Sequence, residues 1–169
     1  MTAPRPALLH VIAGSTGAGK TTYALDLAER LGALHLAIDP WMHTLFGPDQ
    51  PAELNFDWMI ARVDRCEEQM WSVIMQAARV GVPVVADCGF TTREHRTRWR
   101  DRAAAAGISA QLHHIDVPAE ERWRRVEGRN RDKGASFSFE VTREMFDFVE
   151  TIREPPTADE IAGFERACL

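Results

Sequence analysis

The run Gly14-Ser15-Thr16-Gly17-Ala18-Gly19-Lys20-Thr21 combines glycines, a lysine and a hydroxyl at a spacing suited to gripping a chain of phosphates. The glycines let the backbone turn until several N–H groups converge on one anion. Lys20 brings a point charge to the β- and γ-phosphates, and the Thr21 hydroxyl is a ligand for Mg2+. Context carries as much as composition. Leu8–Ala13 reads as a buried strand, and residues 21–31 place apolar side chains at helical spacing before Gly32 stops them. A strand, G-x-x-x-x-G-K-T and a helix, in that order, form a phosphate-binding loop whose helix adds the positive end of its dipole. The reading assigns Gly14, Ser15, Thr16, Gly17, Ala18, Gly19, Lys20, Thr21 and Thr22 to ATP or GTP, and Thr21 to Mg2+.

Two carboxylates close later apolar runs. Residues 34–38 lead to Asp39, which at the end of a second strand could accept a proton from a substrate hydroxyl. Because Pro40 follows, Asp39 also suits the N-cap of a helix. The run 82–86 leads to Asp87, placed to hold Mg2+, often through water. A basic stretch, 119–131, follows a fourth strand. Arg122, Arg125 and Arg129 fall at i, i+3 and i+7 and share one helix face. Arginines aimed at a transferring phosphoryl group stabilise its charge. The plainer alternative is a solvated face paired with Glu120, Glu121 and Glu127. Gly128 in mid-helix costs ~1 kcal/mol relative to alanine, which suggests a hinge in a lid spanning about 119–138.

The elements that must position these groups alternate. A long helical stretch over 54–80, broken once at most, ends at Gly81. A third strand spans 82–86, with Pro83 confined to its start. A helix over 92–106 closes at Gly107, a fourth strand spans 109–115, and a helix over 139–152 stops before Pro155-Pro156. Only 161–167 is left for a fifth strand, and it equally suits a short helix. This alternation predicts a single three-layer α/β/α domain over 1–169 with a mostly parallel, roughly five-stranded sheet. The ligand belongs at the carboxyl ends of the strands. An insert over about 40–60 concentrates Trp41, Met42, His43, Leu45, Phe46, Phe56, Trp58 and Met59 as an acceptor pocket, part of it core. His43 suits a substrate contact or a surface position equally. Arg93, Arg96 and Arg98 could meet an anionic acceptor, but more often such a run is a solvated helix face, and Cys88 reads as an inert small residue.

Of 169 residues, 45% are hydrophobic and 27% charged, an ordinary globular balance. The formal net charge of −5 argues against broad binding to nucleic acid or anionic membranes. Cys66, Cys88 and Cys168 have neither metal spacing nor a disulfide framework, which points to a reducing compartment. No apolar stretch approaches the ~20 residues of a membrane span. The first strand begins within a few residues of Met1, leaving no room for a signal peptide, so a cytoplasmic protein is expected.

The phosphate loop, Ile38-Asp39, Val85-Ala86-Asp87-Cys88-Gly89-Phe90, Gly128-Arg129-Asn130 and Glu154-Pro155-Pro156-Thr157-Ala158-Asp159-Glu160 resemble, in order and spacing, the small P-loop kinases of the zeta-toxin, chloramphenicol-phosphotransferase and polynucleotide-kinase group. Such proteins are often labelled AAA family ATPases. The resemblance covers nearly the whole chain, departing at a short C-terminus. It implies transfer of the γ-phosphoryl group of ATP-Mg2+ and fixes the reaction better than the acceptor; the reading adopted is a monomer or weak homodimer that phosphorylates a hydroxyl of a small molecule. It implies loop roles for Lys20 and Thr21, a base at Asp39, and lid arginines at Arg125 and Arg129. A polynucleotide 5′-end kinase, a toxin-like nucleotide-sugar kinase and a non-catalytic nucleotide-binding switch remain open.

Overall fold

Four short apolar runs pair side by side in the computed structural model, which describes residues 8–51, 56–133 and 140–166. They are β1 (Leu8–Ala13), β2 (Leu34–Ala37), β3 (Val84–Asp87) and β4 (Ser109–His114), in the order β2-β3-β1-β4. Every pairing is parallel. Parallel strands need crossover helices, and these cover both faces. On one face Val11, Val84, Ala86 and Leu112 pack with α3 (Phe56–Arg79), α4 (Arg93–Ala105) and α7 (Ala158–Arg166), through Met70, Trp99 and Phe164. On the other, Ile12 and Val85 meet Ala24, Leu27 and Ala28 of α1 (Lys20–Leu31). Three further helices are α2 (Ile38–Phe46), α5 (Ala119–Asp132) and α6 (Arg143–Ile152). The expected three-layer α/β/α arrangement holds. No helix among the described residues is long and apolar enough to cross a membrane.

Several boundaries differ from expectation. β2 stops at Ala37, which takes the N-cap position of α2 with extended backbone and no side-chain bond. Asp39 therefore lies inside the first helical turn and is not the cap. Pro40 fits there because first-turn N–H groups have no intrahelical partner. β3 begins at Val84 rather than 82, since Pro83 has no N–H for the ladder. α3 is one unbroken helix from Phe56; residues 54 and 55 lie outside the described residues. α6 starts at Arg143 because the Thr142 hydroxyl accepts from the Met145 N–H and caps it; residue 139 is outside the described residues.

The segment proposed as a fifth strand is helix α7, so the sheet has four strands among the described residues. The Glu160 N–H donates to Thr157 Oγ1 at 3.2 Å, capping this helix, while Phe164 is fully buried. Ala167 and Cys168 lie outside the described residues. α4 is not simply a solvated basic face. Arg96 is 1% exposed and forks onto Glu160 at 2.5 and 3.1 Å, with Nη1 donating to Phe90 O at 3.0 Å. Arg93 and Arg98 are exposed, as expected, although Arg98 pairs with buried Glu67 at 2.7 Å and Arg93 lies 3.8 Å from Glu160. A guanidinium goes into a core only when its donors are met.

Candidate active site

The loop between β1 and α1 turns through left-handed backbone at Gly17 (φ 78°) and Gly19 (φ 92°). A Cβ on Gly17 would lie 2.5 Å from Arg122 O, so α5 sits directly against the loop. Gly19 caps α1 without a side-chain bond, which leaves first-turn N–H groups for an anion. The Ala18 N–H and Lys20 Nζ both donate to Ser15 O at 3.1 Å, folding the lysine across the loop. Burial pushes the Lys20 ammonium below its ordinary range; Asp87 and then Asp39 oppose that, while Arg122 and Arg129 add to it.

Thr21 Oγ1 donates to Asp87 Oδ2 at 2.7 Å, so α1 and β3 bring two hard oxygens together. Asp87 is buried at the end of its strand. This pair fits Mg2+, which takes oxygen ligands and commonly combines one or two protein groups with phosphates and water. No cluster of three or more His, Cys, Asp or Glu among the described residues could hold a metal alone, so an ion here would draw its remaining ligands from nucleotide and water. Asp39 is exposed, yet the protein mass around it raises its carboxyl above the usual range, with Asp87 adding to the effect and Lys20 and Arg129 opposing it. A carboxylate of raised pKa is the better base. Lys20, Asp39, Asp87 and Arg129, from four different elements, thus share one electrostatic environment.

The three arginines of α5 face the loop but differ in their contacts. Arg122 is 1% exposed and donates to Thr16 O at 3.1 Å, Val117 O at 2.8 Å and both oxygens of Glu150 at 2.8 and 2.7 Å. Arg125 donates to Ala18 O at 3.3 Å and pairs with Glu121. Arg129 acts on Lys20 and Asp39, and its buried Nε has no hydrogen-bond partner. α5 runs unbroken through Gly128, where a Cβ would meet nothing closer than Arg131 Nη2 at 3.8 Å. Residues 134–138 of the expected lid lie outside the described residues. Glu150 was not anticipated. It lies 135 positions from Ser15, whose hydroxyl donates to it at 2.7 Å, and no local spacing connects them.

Much of the aromatic insert is core. Trp41, Met42 and Phe46 pack against the main cluster, whereas His43 and Leu45 are exposed. Arg62 stacks over Trp58 at 3.9 Å, and Met59 is half-buried. The Phe56 side chain lies outside the described residues. A shallow pocket, open to solvent, lies instead beside the phosphate loop, bounded by Ser15, Phe90, Thr91, His114, Arg153 and Pro155. Phe90 holds a left-handed backbone (φ 47°) at its rim, with its ring edge-on to Trp99 at 5.0 Å. Such strain persists where packing over-determines it. Burial pushes the Cys88 thiol up, consistent with an inert residue.

A glycine-rich loop between an inner parallel strand and its covering helix, a carboxylate ending the neighbouring strand and an arginine-bearing helix above define a small P-loop domain of kinase-like fold. The chain belongs to the AAA domain family, whose profile matches residues 9–156. No curated protein sequence matches the chain. Among solved structures, a sugar kinase from Janibacter sp. HTCC2649 superposes with a TM-score of 0.64 at 20% identity, over 92% of this chain and 82% of that one. The Mycobacterium tuberculosis APS kinase CysC, solved with AMPPNP and APS, gives 0.58 at 21%, over 83% and 86%. A chain of the Pnkp1/Rnl/Hen1 RNA repair complex gives 0.67 at 14%, over 87% of this chain; this chain spans 44% of that longer one. At these identities the likeness is one of fold.

Proposed function

We propose that this protein transfers the γ-phosphoryl group of ATP to a hydroxyl of a small-molecule acceptor. The observation that supports this reading is that Lys20 of the loop helix, Asp39 of α2 and Arg129 of α5 lie near enough for their charges to act on one another. A bare nucleotide switch needs a lysine and a magnesium ligand; an exposed carboxylate of raised pKa beside them is what an acceptor hydroxyl needs. Lys20 and the loop amides grip the phosphates, Asp39 takes the acceptor proton, and Arg129 meets charge spreading over the transferring group. Thr21 and Asp87 would hold Mg2+, which neutralises phosphate charge when bound. Arg125 acts from the far side of the loop, through Ala18.

The test is ADP release from ATP against a panel of sugars, nucleotides, nucleotide sugars, hydroxylated antibiotics and oligonucleotide 5′ ends, with mass detection of the product. With the acceptor found, Asp39→Asn should lower transfer on the order of 10²-fold or more while melting temperature and ATP affinity stay near wild type. Undiminished transfer would remove the base from Asp39.

A further inference from the structure

We propose that Glu150 of α6 is a positioning residue of the phosphate loop, holding Arg122 and Ser15 so that the loop amides point at the anion. The proposal rests on the nucleotide-binding half of the reading above, not on the acceptor. In a trans peptide the carbonyl of one residue and the N–H of the next point in opposite directions. Arg122 draws the Thr16 carbonyl toward α5 at 3.1 Å, and Arg125 draws the Ala18 carbonyl the same way at 3.3 Å. The N–H groups of Gly17 and Gly19 must then turn away from α5. Both are glycines with positive φ, the type of residue that tolerates such a turn. Two arginines thereby shape the anion nest through its carbonyls, before any phosphate arrives.

Arg122 cannot do this unaided. Its guanidinium is 1% exposed, and a buried cation without a counter-ion is strongly destabilising. Glu150 grips it with both oxygens, at 2.8 and 2.7 Å, and with the first of them also accepts the Ser15 hydroxyl at 2.7 Å. One carboxylate therefore holds a loop side chain and the arginine that holds the loop backbone. These bonds, that from Arg122 foremost, keep the Glu150 carboxyl below the usual range and so ionised at neutral pH. The chain directly after it fastens the next loop of the site: the Glu154 N–H donates to Thr91 O at 3.0 Å, and the Glu154 carboxylate accepts the Arg93 N–H at 2.6 Å. α6 thus ends as a strap across the phosphate loop and the loop after Asp87. Arg129, with no carboxylate partner of this kind among the described residues, is left to meet the transferring group.

The decisive comparison separates loop geometry from bulk stability. Glu150→Gln keeps the size of the side chain and removes its charge. The pair Arg122→Met with Glu150→Leu replaces the ion pair with apolar groups, a swap that often preserves or raises stability. ADP affinity with Mg2+, by calorimetry, and melting temperature are measured for both. Glu150→Gln should weaken ADP binding about 10-fold, the scale of one charge-assisted hydrogen bond. The double variant should regain a wild-type melting temperature and still bind ADP at least about 10-fold more weakly. Wild-type ADP affinity in either folded variant overturns the proposal, and Glu150→Gln decides alone if the double variant does not fold. ADP binding needs no acceptor, so a failure of the phosphotransfer reading leaves this result interpretable. Lys20→Ala, which should remove most ADP affinity, reports separately on the nucleotide site.

Discussion

Replacing His10 with leucine should flatten the acid limb of this protein's stability curve. His10 lies on β1, ahead of the phosphate loop, and is 3% exposed. Its Nδ1 is 2.8 Å from His113 Nε2, and His113 Nδ1 is 2.8 Å from the Tyr23 hydroxyl, forming a chain of polar contacts from β1 through β4 to α1. Burial, and secondarily the neighbouring His113, lowers the His10 pKa from 6.5 to about 4. Burial lowers His113 as well, with Arg30 acting in the same direction. The folded protein therefore binds these protons more weakly than the unfolded chain. Stability is fully present above pH 6.5 and drains away as pH falls toward 4. For His10 alone the gap is roughly 2.5 pH units, and at ~1.36 kcal/mol per unit this amounts to about 3 kcal/mol. That is a large part of the roughly 5–15 kcal/mol that stabilises a domain. Urea denaturation from pH 7 to 4 reads it directly. Carboxylates that titrate over the same range contribute equally to both proteins and cancel in the difference. Leucine also removes the partner of His113 Nε2, so the difference in slope reports the His10–His113 pair, with His10 its larger part. The wild type should lose about 3 kcal/mol more than His10→Leu over this range. Parallel curves would refute the buried neutral histidine.

Two further expectations concern the loop and its arginines. Lys20→Ala should remove most nucleotide affinity, since Arg122 and Arg125 are committed to loop carbonyls and cannot replace the lost ammonium; unchanged binding by calorimetry would mean the loop is misassigned. Arg129→Ala should lower transfer on the order of 10²-fold or more while ADP affinity shifts only a few-fold, because its charge is matched to the transition state. Steady-state rates set beside ADP titrations test this, and an equal loss in both would place Arg129 with the ground-state contacts.

The architecture was legible because its signals are local. The phosphate loop carries its chemistry in contiguous residues, and the strands beside it are short apolar runs bounded by glycine or proline. Asp39 and Asp87 were read from the ends of apolar runs, where ligands gather at carboxyl edges; Asp87 does end β3, whereas Asp39 lies in the first turn of α2. The errors fall where the answer depends on distant partners. Whether residues 161–166 form a strand or a helix is decided by the Thr157 cap and by Phe164 reaching the core on β4's side, neither of which an apolar pattern of that length can choose between. Arg96 looked like a solvated residue in a run of arginines. It is the most deeply buried of them because Glu160, 64 positions away, comes to meet it.

The same limit explains the three arginines of α5. Helical spacing puts Arg122, Arg125 and Arg129 on one face and makes them look equivalent. Their roles divide according to which acceptor reaches each one. Arg122 meets Glu150 from α6 and becomes a buried strut; Arg125 meets Glu121 from its own helix and stays half in solvent. No carboxylate among the described residues pairs with Arg129, and its charge remains directed at Lys20 and Asp39. A free guanidinium over a phosphate loop is costly to keep while the site is empty, and it repays that cost only when negative charge develops beneath it. The pairing of its two neighbours therefore has a chemical meaning. It holds α5 against the loop, and on the proposed phosphotransfer reading that leaves Arg129, without a carboxylate partner among the described residues, to meet the transferring group.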